Sequence, residues 1–150
     1  MNQRSLRQQI LVRSVKRLLD DEEEVHDVVV LWNRHRWFLP YCVAAGLGLF
    51  AFAVAIGITD TINQVVLGGC GAAVAAMATT NHWILARTSR GFVLCRSSRI
   101  RQYAREVVTR FGRTPALEMM GSTVITSDWK VDGVGYTLTK RWEATMRSFT

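Results

Sequence analysis

The chain has 150 residues, 49% of them hydrophobic, and its 19 Lys and Arg residues against 12 Asp and Glu residues give a formal net charge of +7. This length is enough for one small domain and some additional elements. The three cysteines, Cys42, Cys70 and Cys95, show no zinc-ligand spacing and are odd in number. We therefore expect three free thiols and no disulfide framework.

The N-terminal segment, 1–19, is predicted to contain a basic amphipathic helix over residues 5–19. Its apolar and basic residues fall on opposite sides of a helical wheel. Either the helix lies in the headgroup layer of an anionic membrane, or it packs its apolar side on this protein or a partner. The apolar side is formed by Leu11, Val15, Leu18 and Leu19, and the basic side by Arg13, Lys16 and Arg17.

Residues 20–37 are predicted to form an acidic turn followed by a juxtamembrane strand or helix. The run from Asp20 to Glu24 lacks the spacing of an EF-hand, so we interpret it as a solvated turn rather than a metal site. The next residues, Val25 to Trp32, form either a strand or the start of a helix that continues into the membrane. Their β-branched run favours the strand.

A transmembrane helical hairpin is predicted in the middle of the chain. No Asp, Glu, Lys or Arg occurs between Arg36 and Asp60 or between Asp60 and Arg87. Each stretch exceeds the roughly 20 apolar residues that a helix needs to cross a bilayer. The hairpin is predicted over residues 38–84, with its first span at 38–58 and its second span at 62–84.

The residues beside the two spans predict the orientation of the hairpin. Arg34, Arg36, Arg87 and Arg90 flank the spans, whereas the loop between them has no basic residue. The positive-inside rule therefore places both termini in the cytoplasm. Aromatic residues at the same ends are typical of the membrane interface. They are Trp32, Trp37, Tyr41 and Trp83.

Small residues recur along both predicted spans and indicate close helix packing. Two alternatives remain: the small residues pack the two spans against each other, or they form an interface between copies of the chain. Apart from His82 neither span contains an Asp, Glu, Lys, Arg or His residue, which argues against a pump or proton relay. The candidate packing residues are Gly46, Gly48, Gly68, Ala72 and Ala76.

Residues 85–150 are predicted to form a small antiparallel, β-rich cytoplasmic domain that ends in a short helix. The turn Ser89–Gly91 separates two apolar runs and predicts a β-hairpin. We further predict a strand over 123–126 and a turn at Asp128 and Trp129. The fold class is therefore α+β, with a two-helix transmembrane hairpin.

From about residue 19 to 150 the chain resembles the small bacterial membrane proteins that carry a membrane-flanked pleckstrin-homology-like (bPH-type) domain. The resemblance rests on the acidic turn and strand before the first span, the tight hairpin, and the two strands joined by a Thr-x-Arg-Gly turn within Trp83–Arg96. It implies a bacterial inner membrane and a pleckstrin-homology-like domain. The part after the spans is short for a complete barrel, so either the barrel is truncated or residues 25–31 supply a strand.

No motif for catalysis, metal binding or cofactor binding is present. The chain lacks G-x-S-x-G, H-E-x-x-H, Cys-x-x-Cys and a phosphate-binding glycine loop. We therefore expect no enzyme activity, no metal and no cofactor.

Six arginines lie within nineteen residues directly after the second span. They either fix topology alone or also contact anionic lipid headgroups, because juxtamembrane arginines are attracted to an anionic leaflet. The chain has no RNA- or DNA-binding motif, so the arginines do not favour nucleic acid. The candidate headgroup residues are Arg87, Arg90, Arg96, Arg99, Arg101 and Arg105.

Three functions follow from these patterns. The first is a membrane-anchored binding or scaffold protein whose cytoplasmic domain contacts anionic lipid, a protein partner, or both. The second is an accessory subunit of a larger bacterial membrane complex. The third is a self-assembling pore that uses the small residues of the second span.

Overall fold

The structure is a computed structural model and describes residues 6–98 and 103–150. The chain divides into two compact units. The strand unit contains the described residues up to Asn33 and from His82 onwards, and the helix pair contains Arg34–Asn81.

The strand unit is built from seven β-strands and two short helices. The helix α1, Leu6–Lys16, precedes the strands, and α4, Glu143–Arg147, follows a single 3₁₀ turn at Lys140–Trp142. The strands, in chain order, are β1 Val25–Arg34, β2 Thr80–Thr88, β3 Gly91–Ser97, β4 Ala104–Phe111, β5 Leu117–Ser122, β6 Thr126–Val131 and β7 Val134–Thr139.

All seven strands belong to one sheet with the order β4-β3-β2-β1-β7-β6-β5. The sheet is larger than the small domain predicted after the spans. The strand β1, which precedes both long helices in sequence, lies at its centre and pairs with β7 through Trp32 and Thr137. Residues 25–31 therefore supply a strand to the sheet, which was one of the two alternatives for the domain; the other was a truncated barrel.

Two tight turns fix the register of the hairpins. The predicted β2–β3 hairpin is present, but its turn is Ser89 and Arg90 alone, because Gly91 already belongs to β3 and pairs with Thr88. A Cβ atom on Gly91 would collide with the carbonyl of Phe111, so only glycine fits there. At the β6–β7 turn, Asp132 and Gly133 both have positive φ, which is the type I′ geometry that suits a two-residue hairpin.

The core lies on both faces of the central strands. Consecutive residues are buried in three neighbouring strands, at Val28–Leu31, Ile84–Ala86 and Phe92–Cys95. Because successive side chains of a strand point to opposite faces, such runs require cover on both sides. Phe149, beyond α4, supplies part of that cover through an edge-to-face contact with Phe92 at 5.3 Å.

The apolar side of α1 packs on the strand unit itself. Leu11, Val15 and Leu19 are buried and belong to the same hydrophobic cluster as the central strands. Of the two alternatives for this helix, packing on this protein is the one that the structure shows for these residues.

Two predictions for the second half of the sheet were wrong. Residues 123–125 form a turn between β5 and β6, because the hydroxyl of Thr123 accepts hydrogen bonds from the backbone N–H groups of Ile125 and Thr126 at 3.3 and 3.0 Å. Asp128 and Trp129 lie within β6 rather than in a turn. Trp129 is buried, and it pairs with Tyr136 of β7.

The helix pair consists of α2, Phe38–Ala55, and α3, Thr61–Thr79. Gly57, with φ of +84°, ends α2 in a Schellman motif in which the N–H of Ile58 donates to the carbonyl of Ala53 at 3.1 Å. The side chain of Asp60 begins α3 by accepting from the N–H of Ile62 at 3.0 Å. Both helices are long and apolar enough to cross a membrane.

The predicted span ends were too late in both helices. The first helix ends at Ala55 rather than near 58, where Gly57 turns the chain. The second ends at Thr79 rather than near 84, because Thr80 already begins β2. The residues from Trp83 onward pair with β3 instead of continuing the helix.

Candidate binding surfaces

The described members of the arginine cluster have different surroundings. Arg90 forms ion pairs with Asp20 at 3.5 Å and Glu22 at 3.0 Å, and Arg96 lies 3.5 Å from Glu106. Arg87 and Arg105 are exposed and have no ion pair within the part of the chain that the structure describes. Arg99 and Arg101 lie outside the described residues.

Arg87 and Arg105 lie near opposite ends of their strands. Arg87 is paired with Phe92, whereas Arg105 follows Ala104, which pairs with Ser97. Five positions along β3 separate these pairs, or about 17 Å at the rise of a strand. These two side chains therefore do not form one headgroup site.

The acidic turn is solvent-exposed, as predicted, except at Glu23, which anchors it to the strand unit. Glu23 is only 1% exposed, and its carboxylate accepts hydrogen bonds from Thr88 at 2.6 Å and from Arg110 at 2.8 Å. At the neighbouring Glu24, the carbonyl accepts from the N–H of Ser89 at 2.9 Å, and the N–H donates to the hydroxyl of Ser89 at 3.2 Å. The turn thereby ties the segment before β1 to the β2–β3 hairpin and to β4.

The buried cysteine of β3 lies beside this ion pair. Cys95 is fully buried, and burial raises the pKa of its thiol to about 11. The positive charge of Arg110 opposes this shift and the negative charge of Glu23 adds to it. A thiol in this state is not a nucleophile at neutral pH.

A second carboxylate cluster lies at the C-terminal helix. Glu143 contacts Lys140 and Arg147, each at 2.7 Å, and accepts a short hydrogen bond from the hydroxyl of Ser127. The hydrogen bonds from Lys140, Ser127 and Arg147 together lower the pKa of Glu143 to about 2. The hydroxyl of Ser122 also donates to Glu143, at 3.3 Å, so the buried carboxylate is fully partnered and we interpret the cluster as structural.

A groove beside α1 combines positive charge that has no ion pair among the described residues with exposed apolar surface. It has a volume of about 670 Å³ and lies between α1, the turn that follows it and the start of β4. The sequence indicated the basic helix but not this groove, because Tyr103 and Ala104 contribute from a distant part of the chain. Its main side chains are Ile10, Arg13, Arg17, Leu18 and Tyr103.

Within the helix pair, the glycines face the neighbouring helix to different degrees. A Cβ atom on Gly46 would lie 3.2 Å from the carbonyl oxygen of Gly68, and one on Gly68 would lie 3.1 Å from that of Gly46. Gly71, which sequence reasoning missed, is closest of all, since a Cβ atom there would lie 2.6 Å from the carbonyl oxygen of Ala45. Gly48 has open space around it.

The two candidate alanines of α3 are both partly buried. Ala72 contributes its methyl group to the contact with Gly46, at 3.5 Å from the position of a Cβ there, and Ala76 is partly buried on the same stripe. The close contacts between α2 and α3 support packing within the pair.

The four candidate interface aromatics fall into two groups. Trp37 and Tyr41, at the start of α2, are exposed. Trp32 and Trp83 belong to strands: the indole N–H of Trp83 donates to Asn33 at 3.0 Å, and its ring lies 6.1 Å from that of Tyr136. These two contacts place Trp83 in the packing of the sheet.

Among residues 6–98 and 103–150, no group of three or more His, Cys, Asp or Glu side chains has a geometry that would hold a metal ion. The chain matches no protein-family model, no curated protein and no solved structure.

Proposed function

We propose that the protein is a membrane-anchored binding or scaffold protein. The observation that carries this proposal is the order of the elements: the two apolar helices are inserted between β1 and β2, which are neighbours in one sheet. Such an insertion attaches a single folded domain to a bilayer through two closely spaced connections.

The strand unit is, in this proposal, a pleckstrin-homology-like domain of the bPH type. Two features support the resemblance. The strand supplied from before the helices completes a seven-stranded antiparallel arrangement, and a short helix closes the chain after β7. The proposal places the chain in a bacterial inner membrane, with two passes and with both termini in the cytoplasm.

The ligand in this proposal is an anionic phospholipid. The strand unit contains most of the excess positive charge, and the acidic turn neutralises only some of its arginines. A positively charged domain tethered beside an anionic leaflet gains favourable energy from each basic residue near the surface.

The test is the lipid composition of the purified chain. We expect gently extracted protein to carry more phosphatidylglycerol than the bulk membrane, as measured by native mass spectrometry. Arg99→Gln/Arg101→Gln is compared with Lys130→Gln/Arg113→Gln, which removes the same charge elsewhere. Equal phosphatidylglycerol content in these two variants would show that the lipid binds outside the Arg99 and Arg101 pair. Lipid in the proportions of the bulk membrane would contradict the lipid-binding function.

A second candidate function is an accessory subunit of a larger membrane complex. It is favoured by the exposed apolar residues around the β5–β6 turn, where Val124 is 93% exposed and Ile125, Met119 and Met120 are also exposed. Apolar side chains left exposed near one turn are candidates for a protein interaction site. Co-purification of a stoichiometric partner that is lost in Val124→Ser/Ile125→Ser would favour this candidate.

A further inference from the structure

The groove beside α1 is formed by one face of the helix and the start of β4. Ile10, Arg13 and Arg17 follow one another at spacings of three and four residues, which places them on one side of a helix. The N–H of Arg17 donates to the carbonyl of Arg13 at 3.2 Å, so this geometry continues one residue beyond the end of α1.

Ser14 holds the two walls of the groove together. Its hydroxyl donates to the carbonyl of Leu11 at 2.7 Å and accepts from the N–H of Ala104, the first residue of β4, at 3.1 Å. The Ser14 hydroxyl is therefore already used as both donor and acceptor. The groups that the groove offers to an anionic ligand are the guanidinium groups of Arg13 and Arg17.

These two guanidinium groups have no counter-charge within the described residues. No Asp or Glu lines the groove, and within residues 6–98 and 103–150 neither Arg13 nor Arg17 forms an ion pair. They lie one helical turn apart, a spacing at which like charges repel. A phosphate between them would relieve this repulsion, and the planar donors of arginine suit its oxygens.

The walls of the groove indicate a ligand with an apolar part as well as an anionic one. Ile10 is 54% exposed, and Leu18 and Tyr103 also present apolar surface to the same space. A free phosphate would leave this surface in water. A phospholipid would cover it with its glycerol and upper acyl carbons, and the same chain carries two helices that could cross a bilayer.

We propose that this groove binds the headgroup of an anionic phospholipid, with Arg13 and Arg17 on the phosphate and with Ile10, Leu18 and Tyr103 against the glycerol region. The inference rests on the proposed lipid-binding function and assigns the site to α1 and β4 rather than to the arginines of β2 and β3.

The test titrates the full-length chain in detergent with short-chain phosphatidylglycerol and with short-chain phosphatidylcholine, and counts bound lipid by native mass spectrometry. We expect Arg13→Gln/Arg17→Gln to bind phosphatidylglycerol about thirty-fold more weakly than the wild type, because each lost arginine should weaken the affinity roughly five-fold. Lys16→Gln/Arg113→Gln removes the same charge outside the groove and is expected to change binding little.

A second variant tests the apolar wall without changing charge. Ile10→Ser alters an exposed side chain, so the fold should persist, and we expect it to weaken phosphatidylglycerol binding several-fold. Displacement of phosphatidylglycerol by inorganic phosphate alone would show a free-anion site and would overturn the lipid assignment.

The outcomes separate this inference from the proposed function. In one outcome the wild type prefers phosphatidylglycerol, but Arg13→Gln/Arg17→Gln binds it as well as the control variant does. This result would overturn the assignment of the site to the groove and leave the proposed lipid-binding function standing. The same binding of both lipids by the wild type would overturn the groove and the lipid-binding function together.

Discussion

Glu23 and Arg110 form an ion pair between the acidic turn and β4, with 2.8 Å between the carboxylate and the guanidinium. The two partners differ in exposure: the Glu23 side chain is 1% exposed, whereas that of Arg110 is 47% exposed. The cost of losing each partner therefore differs. Removal of the arginine leaves a buried carboxylate with Thr88 as its remaining partner, whereas removal of the glutamate leaves an arginine that water can solvate.

Arg110→Met should therefore destabilise the strand unit, by about 2 kcal/mol in the free energy of unfolding, a value below the range for fully buried pairs because Arg110 is half exposed. The double variant Glu23→Met/Arg110→Met should recover most of this loss. Thermal unfolding of the purified chain measures both, with Arg113→Met as the control at an exposed position. A double variant less stable than Arg110→Met would contradict this account of the pair.

Acid should weaken the cluster around Glu143. The folded state holds the pKa of Glu143 at about 2, below the usual value of 4.5, so the unfolded state binds this proton more readily. The stabilisation is fully present above pH 4.5 and is lost as the pH falls towards 2. In Glu143→Gln the unfolding midpoint should depend less on pH over this window than in the wild type. The control Glu118→Gln, at an exposed position, should follow the wild type. Parallel curves for all three proteins would rule out this contribution.

The thiol of Cys95 should be unreactive in the folded chain. It is fully buried and its pKa is raised to about 11, so almost none of it is thiolate at pH 8. In a Cys42→Ser/Cys70→Ser background we expect no maleimide labelling until the protein is denatured. Arg113→Cys, added to Cys95→Ser in the same background, provides an exposed thiol that should label at once. Fast labelling of Cys95 in the native protein would show that β3 opens.

Gly71 and Gly69 provide a matched test of the helix pair. A Cβ at position 71 would lie 2.6 Å from the Ala45 carbonyl oxygen and 2.8 Å from the Leu49 side chain, whereas position 69 has open space. Gly71→Ala should therefore push the helices apart and cost on the order of 1–3 kcal/mol. Gly69→Ala should be neutral or slightly stabilising, since alanine favours the helix. Thermal unfolding in detergent compares the two, and equal midpoints would contradict the packing between α2 and α3.

Local patterns in the sequence predicted most of the elements. The two uncharged stretches correspond to α2 and α3, the Ser89–Gly91 turn forms the β2–β3 hairpin, and the β-branched run after Glu24 forms β1. These features depend on residues that are close in the sequence. The position of β1 at the centre of the sheet depends on its pairing with β7, which is distant in the sequence and leaves no local signal.

The same limitation explains the errors. Glu23 appears in the sequence as one of several acidic residues, and only Thr88 and Arg110, brought close by the sheet, make it a buried group. The run at Thr123–Thr126 has strand-forming residues, yet the hydroxyl of Thr123 closes a turn. The groove beside α1 likewise needs β4, so the helix alone predicted a basic surface without a site.

The central claim is that a single strand unit lies on one side of a bilayer and that the loop between α2 and α3 lies on the other. Single cysteines at Thr59 in the loop and at Arg113 in the strand unit, in a Cys42→Ser/Cys70→Ser/Cys95→Ser background, test it with a membrane-impermeant maleimide on intact bacterial spheroplasts expressing the chain. We predict labelling of Thr59→Cys in intact spheroplasts and of Arg113→Cys only after the membrane is permeabilised. Equal labelling of both positions in intact spheroplasts, or of neither until permeabilisation, would contradict the proposed topology.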